Sequence, residues 1–261
     1  MLTYISLGWG VQSWTLAAMV ALGELPSVDA AIHSDTGWER QSTYEFAATW
    51  TPWLESRGVP VVTVHDKKPA TVATNQTDIP AFTAGTSAKG GQLRRQCTGD
   101  WKIKPMRRYI SQQLSQVGAQ KTPGIVEQWL GITQDEWHRA KDSDVAYITH
   151  KYPLLDRNMT RANCITWLQK NNLPAPDKSA CVFCPYHNRA AWQRMRAENG
   201  ADWRTAVSVD SAIRNTRPPH LLYVHPDRIP LESAVLTPEM FGMTQTSLIP
   251  DEECDSGYCF L

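Results

Sequence analysis

The sequence has no excess of either charge: Lys and Arg together number 26, and so do Asp and Glu. A neutral chain lacks the broad basic surface that grips nucleic acid non-specifically, although a local basic patch stays open to it. Long apolar runs are missing as well. The longest, residues 16–22, falls far short of the ~20 residues needed to cross a bilayer, so no membrane association is expected. The first residues, Met1-Leu2-Thr3-Tyr4-Ile5, carry neither a basic segment nor a long apolar one, so the expectation is a soluble, cytoplasmic protein. There is no internal repeat and no low-complexity block. What is present is a hydrophobic share of 42% over 261 residues, enough for a sizeable core in one large α/β domain or one domain with an appendage. Tryptophan is abundant at 11, and most of these side chains are expected to pack the core or its rim. The six cysteines are Cys97, Cys164, Cys181, Cys184, Cys254 and Cys259. In a reducing compartment they read as metal ligands or reactive thiols rather than disulfides.

Residues 3–7, 28–33 and 59–64 are short apolar, β-rich runs, separated by helical stretches at 12–22 and 40–57. Strands and helices in strict alternation with short connections predict right-handed crossovers and a parallel sheet. Residues 65–99 break the pattern and read as a long irregular loop or insertion. Beyond it come a basic helix over 102–113, a strand over 125–132, a strand over 146–150 and a helix over 161–171. Helical segments at 189–198 and 202–214 precede a hairpin expected from 221–224 and 229–235 around Pro226-Asp227, and an irregular tail. The organisation expected is a nucleotide-binding α/β domain over 1–187 and a helical and hairpin extension over 188–261 with a cysteine-bearing tail.

Two polar loops fall at the carboxyl ends of strands, where open α/β sheets bind ligands. The first is Ser6-Leu7-Gly8-Trp9-Gly10-Val11-Gln12-Ser13. Glycines between a strand and a helix let backbone N–H groups approach an anion, and the helix N-terminus favours its charge. The second is Asp35-Thr36-Gly37-Trp38-Glu39, whose aspartate either accepts from a ribose or adenine donor or caps the next helix. Around Cys97, six basic residues lie within 15 positions, from Arg94 to Arg108, and offer charge to phosphate or sulfate; a solvated helix face is the plainer use of such a run. Cys181-Val182-Phe183-Cys184 presents two sulfurs across a tight turn, either to a metal or as a redox dithiol. In the tail, Cys254 follows three acids, which raise a thiol pKa unless a basic segment faces them.

The order of these motifs resembles the phosphoadenosine phosphosulfate (PAPS) reductase family, within the PP-loop, adenine-nucleotide α-hydrolase-like superfamily. Where that family has Ser-Phe-Gly-Ile-Gln after strand one, this chain has Gly8-Trp9-Gly10-Val11-Gln12; where it has Thr-Asp-Thr-Gly, this chain has Ser34-Asp35-Thr36-Gly37. The family's cysteine followed by Lys-Val-x-Pro is matched by Cys97 ahead of Lys102-Ile103-Lys104-Pro105. Pro153-Leu154, Leu173-Pro174, the Cys181–Cys184 pair and Glu253-Cys254 follow in the family's order. The resemblance implies a Rossmann-like parallel sheet with helices on both faces. It also implies an adenine nucleotide (PAPS, adenosine phosphosulfate or ATP) held by Ser6, Gly8, Trp9, Gly10, Gln12, Ser13, Asp35, Thr36 and Gly37. Arg94, Arg95, Lys102 and Arg139 are the implied phosphate or sulfate ligands, and Cys254 the implied nucleophile. A 4Fe–4S cluster on Cys97, Cys164, Cys181 and Cys184 is implied, with zinc as the alternative; Gln96 stands where cluster-bearing reductases have a second cysteine, which makes Cys164 the fourth candidate.

Three functions follow. The first is a PAPS reductase-like oxidoreductase or sulfurtransferase, partnered by a thiol reductant protein. The second is ATP-dependent thiolation or modification of nucleic acid, disfavoured by Gln12 where ATP-cleaving members carry an acid and by the neutral charge. The third is a non-catalytic nucleotide-binding module.

Overall fold

The computed structural model describes residues 1–66, 78–85 and 90–234. Its elements run, in chain order, β1 (Leu2–Ser6), α1 (Val11–Ala21), β2 (Ala30–Ser34), α2 (Gln41–Glu55), β3 (Val61–Val64), β4 (Phe82–Ala84), β5 (Gly91–Gln92), α3 (Lys104–Gln116), β6 (Val126–Trp129), β7 (Ile148–Lys151), α4 (Pro153–Asp156), α5 (Arg161–Lys170), α6 (Arg189–Glu198), α7 (Ala201–Ile213) and β8 (Leu221–Tyr223). By contact they form two units. Residues 1–66 and 98–179 make the first; residues 78–85, 90–97 and 180–234 make the second. The second unit thus includes the segment around Cys97 as well as residues 180–234.

The first unit is a five-stranded sheet in the order β3-β2-β1-β6-β7, and every neighbouring pair is parallel. Because successive strand side chains point to opposite faces, the inner strands β2, β1 and β6 feed two cores. Ile5, Ala31 and Trp129 join one core with α1 and α5; Tyr4, Ala30, Ile32 and Val126 join the other with α3. Helix α3 meets the sheet through Met106, Ile110 and Leu114, spaced four apart on one face. Helix α1 is buried almost all round. Most of the tryptophan surplus is spent here. The Trp14 ring lies 5.2 to 5.6 Å from those of Phe46, Trp50 and Trp53, and its indole N–H donates to the Pro174 carbonyl at 3.1 Å. Burial of each such ring stabilises by about 2–3 kcal/mol before the entropy of ordering is counted.

From β1 the chain adds β2 and β3 on one side, then crosses back to add β6 and β7 on the other. The crevice between the ends of β1 and β6 is therefore the topological switch point, where sheets of this class leave room for a ligand.

The second unit contains helices α6 and α7 and a small antiparallel sheet ordered β5-β4-β8. This corrects the expected hairpin. Residues 221–223 pair with Phe82–Ala84 from the supposedly irregular insertion, and Pro230 leads into a 3-10 turn at Leu231–Ser233 instead of a return strand. Proline has no N–H for the ladder, and its partner-less strand is replaced by one from far back in the chain. Among the described residues no helix is long and apolar enough to cross a membrane.

Candidate nucleotide site at the carboxyl edge

The loop after β1 is shaped by its own side chains. Ser13 Oγ accepts from the Gly8 N–H at 3.1 Å and donates to the Gly10 carbonyl at 3.3 Å, drawing the loop over the start of α1. Gly10 is the N-cap of α1 and no side chain caps it. The first-turn N–H groups of Val11, Gln12 and Ser13 have no intrahelical acceptor, as at any helix start. A Cβ at Gly10 would stand 3.0 Å from Ser179 Oγ, so the loop closes around a position that only glycine fills without pressure. Trp9 takes φ +57°, in the left-handed region, which costs a bulky residue about 1–2 kcal/mol. Its ring is buried, 6.1 Å from those of Trp14 and Phe46. Core packing holds the strained turn, and only the Trp9 backbone is left for a ligand. Ser6, also expected to bind nucleotide, is buried, and its hydroxyl accepts from Gln128 Nε2 at 2.7 Å across the β1–β6 pair.

The loop after β6 forms the facing wall, and sequence reading passed over it. A Cβ at Gly131 would lie 2.8 Å from the Ser13 backbone nitrogen and 3.0 Å from the Gln12 carbonyl carbon, so this glycine lets the strand end abut the first turn of α1. Two residues on, Thr133 is the N-cap of a 3-10 turn, Gln134–Arg139, yet its side chain makes no cap hydrogen bond. Thr133 Oγ1 and Gln12 Nε2 are both buried and have no hydrogen-bond partner among the described residues.

The loop after β2 turns inward. Asp35 Oδ1 accepts from the Gly37 N–H and the Tyr44 hydroxyl, each at 2.8 Å, and Oδ2 lies 3.7 Å from His65 Nδ1. Burial, then that carboxylate, pushes the Tyr44 hydroxyl well above its ordinary pKa. The Asp35 carboxylate thus closes its own loop. Gly37, at φ +75°, makes the turn that a side chain would strain. Behind it, Lys102 Nζ and Glu39 Oε1 form an ion pair at 3.2 Å with side chains 8% and 2% exposed, and Thr36 Oγ1 donates to the same oxygen at 3.4 Å. His33 sits beside them. Its Nδ1 lies 3.0 Å from the Leu7 carbonyl oxygen, which makes Nδ1 the protonated nitrogen of a neutral ring, and burial lowers its pKa despite the nearby Glu39. Arg139 is likewise committed, 3.0 Å from the Glu136 carboxylate and almost fully buried. His33 and Thr133 carry no local sequence signal, and the pairing of Glu39 with Lys102 spans 63 positions of chain.

The four described cysteines lie in different surroundings. Cys164 is completely buried in the apolar core between α1 and α5, and burial pushes its thiol up to about 12, against a weaker pull from a Thr15 hydrogen bond. A metal requires the thiolate, which this environment disfavours. In the second unit Cys181 and Cys184 are half-buried on a tight turn, with the Cys184 N–H donating to the Cys181 carbonyl at 3.0 Å. His187 Nε2 also reaches that carbonyl, at 2.9 Å. The N–H of Cys97 donates to the Asp78 carbonyl at 2.9 Å, and Arg95 lies 5.8 Å from the Tyr186 ring; Arg94 is exposed. Among the described residues, no three of the His, Cys, Asp and Glu side chains come together as a metal-binding group. Cys164, sealed in an apolar core with its thiol pushed up by burial, is a poor metal ligand. Cys254 and Cys259 lie outside the described residues.

No protein-family model matches the chain, and no curated protein matches it in sequence. Among solved structures it is similar to the phosphoadenylyl-sulfate (PAPS) reductase from Candida auris, in a phosphate complex, at 11% identity and a TM-score of 0.43 over 67% of this chain and 75% of that one. At that level of likeness the assignment of an α/β fold with a parallel, switch-point sheet rests on the strand order of this chain itself.

Proposed function

We propose that the chain is a PAPS reductase-like enzyme that binds an adenine nucleotide at the β1–β6 crevice and reduces or transfers its sulfur group. The observation that carries the reading is a pair of buried polar groups without a hydrogen-bond partner among the described residues, Gln12 Nε2 and Thr133 Oγ1, beside the start of α1 at the switch point. Buried polar groups are nearly always satisfied, and these two lie beside an anion-favouring helix end, where a ligand would satisfy them. The motif order from Gly8 to Cys254 supplies its chemical class.

In this reading Cys254 attacks the sulfur of the phosphosulfate. An S–S bond forms, the S–O bond of the anhydride breaks, and the adenosine phosphate leaves with the electron pair. A second thiolate then attacks Cys254 Sγ, releasing sulfite and leaving a disulfide, so two thiols are oxidised as sulfate sulfur is reduced by two electrons. An external dithiol protein restores the thiols. No step of this reading runs through a metal cluster.

Calorimetry with ATP, adenosine phosphosulfate and PAPS tests the nucleotide assignment. Wild type should bind at least one of them, and Gly10→Val should lose that binding. Because a Cβ at Gly10 also meets Ser179 Oγ, the variant is paired with Gly10→Val/Ser179→Ala, which removes that contact. Wild-type affinity in both variants would reject the site. Sulfite release that survives in Cys254→Ser would reject the nucleophile.

A further inference from the structure

Of the eleven tryptophans, all among the described residues, ten are buried or half-buried, whereas Trp137 is 66% exposed. Its ring meets that of His138 edge-on, 6.5 Å between centroids. The 3-10 turn that carries it, Gln134–Arg139, is tied down on both sides. Ahead of the ring, the Gln134 N–H donates to the Met159 carbonyl at 2.9 Å, the Gln134 side chain donates to Asn158 Oδ1 at 3.0 Å, and Asp135 Oδ2 accepts from the Arg161 N–H at the start of α5. Behind it, Arg139 is held by Glu136 inside the protein, and the Trp137 carbonyl accepts from the Ala140 N–H at 3.0 Å. Lys141 closes the turn. Its N–H donates to the Tyr152 hydroxyl at 2.8 Å, and its carbonyl accepts from that hydroxyl and lies 2.8 Å from His150 Nδ1. We infer that this turn is a docking point for a protein partner, with Trp137 as its anchor, and that the partner is the dithiol protein of the reaction above. The inference rests on that reading and adds where on this chain the partner binds.

Exposure combined with a fixed backbone is the physical argument. A large ring already held in the open loses little conformational freedom on being covered, and tryptophan is among the side chains most enriched at binding hot spots. Charge selects the class of partner. Residues 135–144 hold four acids (Asp135, Glu136, Asp142 and Asp144) against two bases (Arg139 and Lys141). An acidic segment repels the phosphate backbone of a nucleic acid, whereas an aromatic anchor inside a charged rim is the usual anatomy of a protein contact. Place selects the partner within that class. The turn follows β6 at the carboxyl edge of the sheet, the edge at which the proposed chemistry oxidises two thiols. A partner seated there delivers a thiolate to the enzyme's disulfide. A mixed disulfide forms as one enzyme thiolate leaves, and the partner's second thiolate displaces the other. The partner ends as the disulfide and the enzyme as the dithiol.

The test follows sulfite release from the sulfonucleotide with two reductants, thioredoxin as the protein dithiol and dithiothreitol as the small one. Enzymes are wild type, Trp137→Ala and Trp137→Phe. Trp137→Ala should raise KM for thioredoxin by about tenfold or more, the scale of a hot-spot truncation. Its turnover with dithiothreitol and its KM for the nucleotide should stay at wild-type values, and it should melt within about 2 °C of wild type, as a change at an exposed side chain does. Trp137→Phe should recover most of the loss. An unchanged KM for thioredoxin in Trp137→Ala overturns the inference. So does an equal loss with dithiothreitol, which would give the ring a part in the chemistry instead. A wild-type dimer that Trp137→Ala dissociates in sedimentation, or binding of a single-stranded oligonucleotide that the same change abolishes, would assign the ring to another occupant and overturn it too. Wild type that releases no sulfite with either reductant removes the PAPS reductase-like reading, and the inference with it.

Discussion

Replacing Cys164 with alanine removes one sulfur from the core between α1 and α5, where the side chain is completely buried. If the residue is a core hydrophobe, the cost is the transfer of a methylene-sized group, about 0.8 kcal/mol, plus a residual cavity, together about 1–2 kcal/mol. For a chain of this size each kcal/mol lowers Tm by about 2–4 °C. The thiol adds a second signature. Its folded pKa is pushed up to about 12 from an ordinary 9.0. Above pH 9.0 the unfolded chain gives up this proton while the folded one keeps it. Its contribution to stability is thus constant below the unfolded value and falls as pH rises, by about 1.4 kcal/mol per pH unit up to the folded value. Denaturant unfolding of wild type and Cys164→Ala at pH 8 and pH 10 reads both effects. The variant should be less stable at the lower pH, and the gap should shrink by roughly 1 kcal/mol at the higher, where wild type is penalised and the variant is not. Rapid modification of Cys164 by a thiol reagent in the native protein at neutral pH, or loss of bound iron or zinc in Cys164→Ala with the fold intact, would refute the core reading.

Two further outcomes follow from buried charge. Glu39→Gln leaves the Lys102 ammonium without its carboxylate at 8% side-chain exposure, and should cost about 3–5 kcal/mol in denaturant unfolding. Glu39→Leu/Lys102→Met should recover most of that loss, and a single variant within about 1 kcal/mol of wild type would show the pair to be solvated. His33, His150 and His225 all have pKa values lowered, in each case by burial first. The unfolded chain therefore takes up their protons at a higher pH than the folded one. The stability they contribute is complete above the ordinary value of 6.5 and is lost as pH falls through the folded values. His33→Gln should flatten that acid limb; an unchanged limb would mean that the ring is already solvated.

The sequence was sufficient for whatever is written in short-range pattern. The alternation of apolar strands and helices through residue 64 determined a parallel sheet, because period-2 and period-3.6 patterns with short connections admit few arrangements. Glycines at 8 and 10 and the Asp35–Gly37 turn marked the carboxyl-edge loops, since backbone turns demand particular residues locally. Only tertiary structure decided which groups those loops leave open. Sequence gives no hint that Asp35 Oδ1 accepts from Tyr44 and Gly37, or that Lys102 pairs with Glu39 from 63 positions away. Thr133 has no motif, and that its buried hydroxyl lacks a partner among the described residues appears only once β6 lies beside β1. Cysteine spacing brings Cys181 and Cys184 onto one turn, but whether distant thiols meet, or one of them is buried as a plain hydrophobe like Cys164, depends on long-range packing that no local pattern encodes. The pairing of β8 with β4 was hidden for the same reason: strands of three residues carry too little side-chain pattern to choose a partner, so the choice falls to the burial each partner offers.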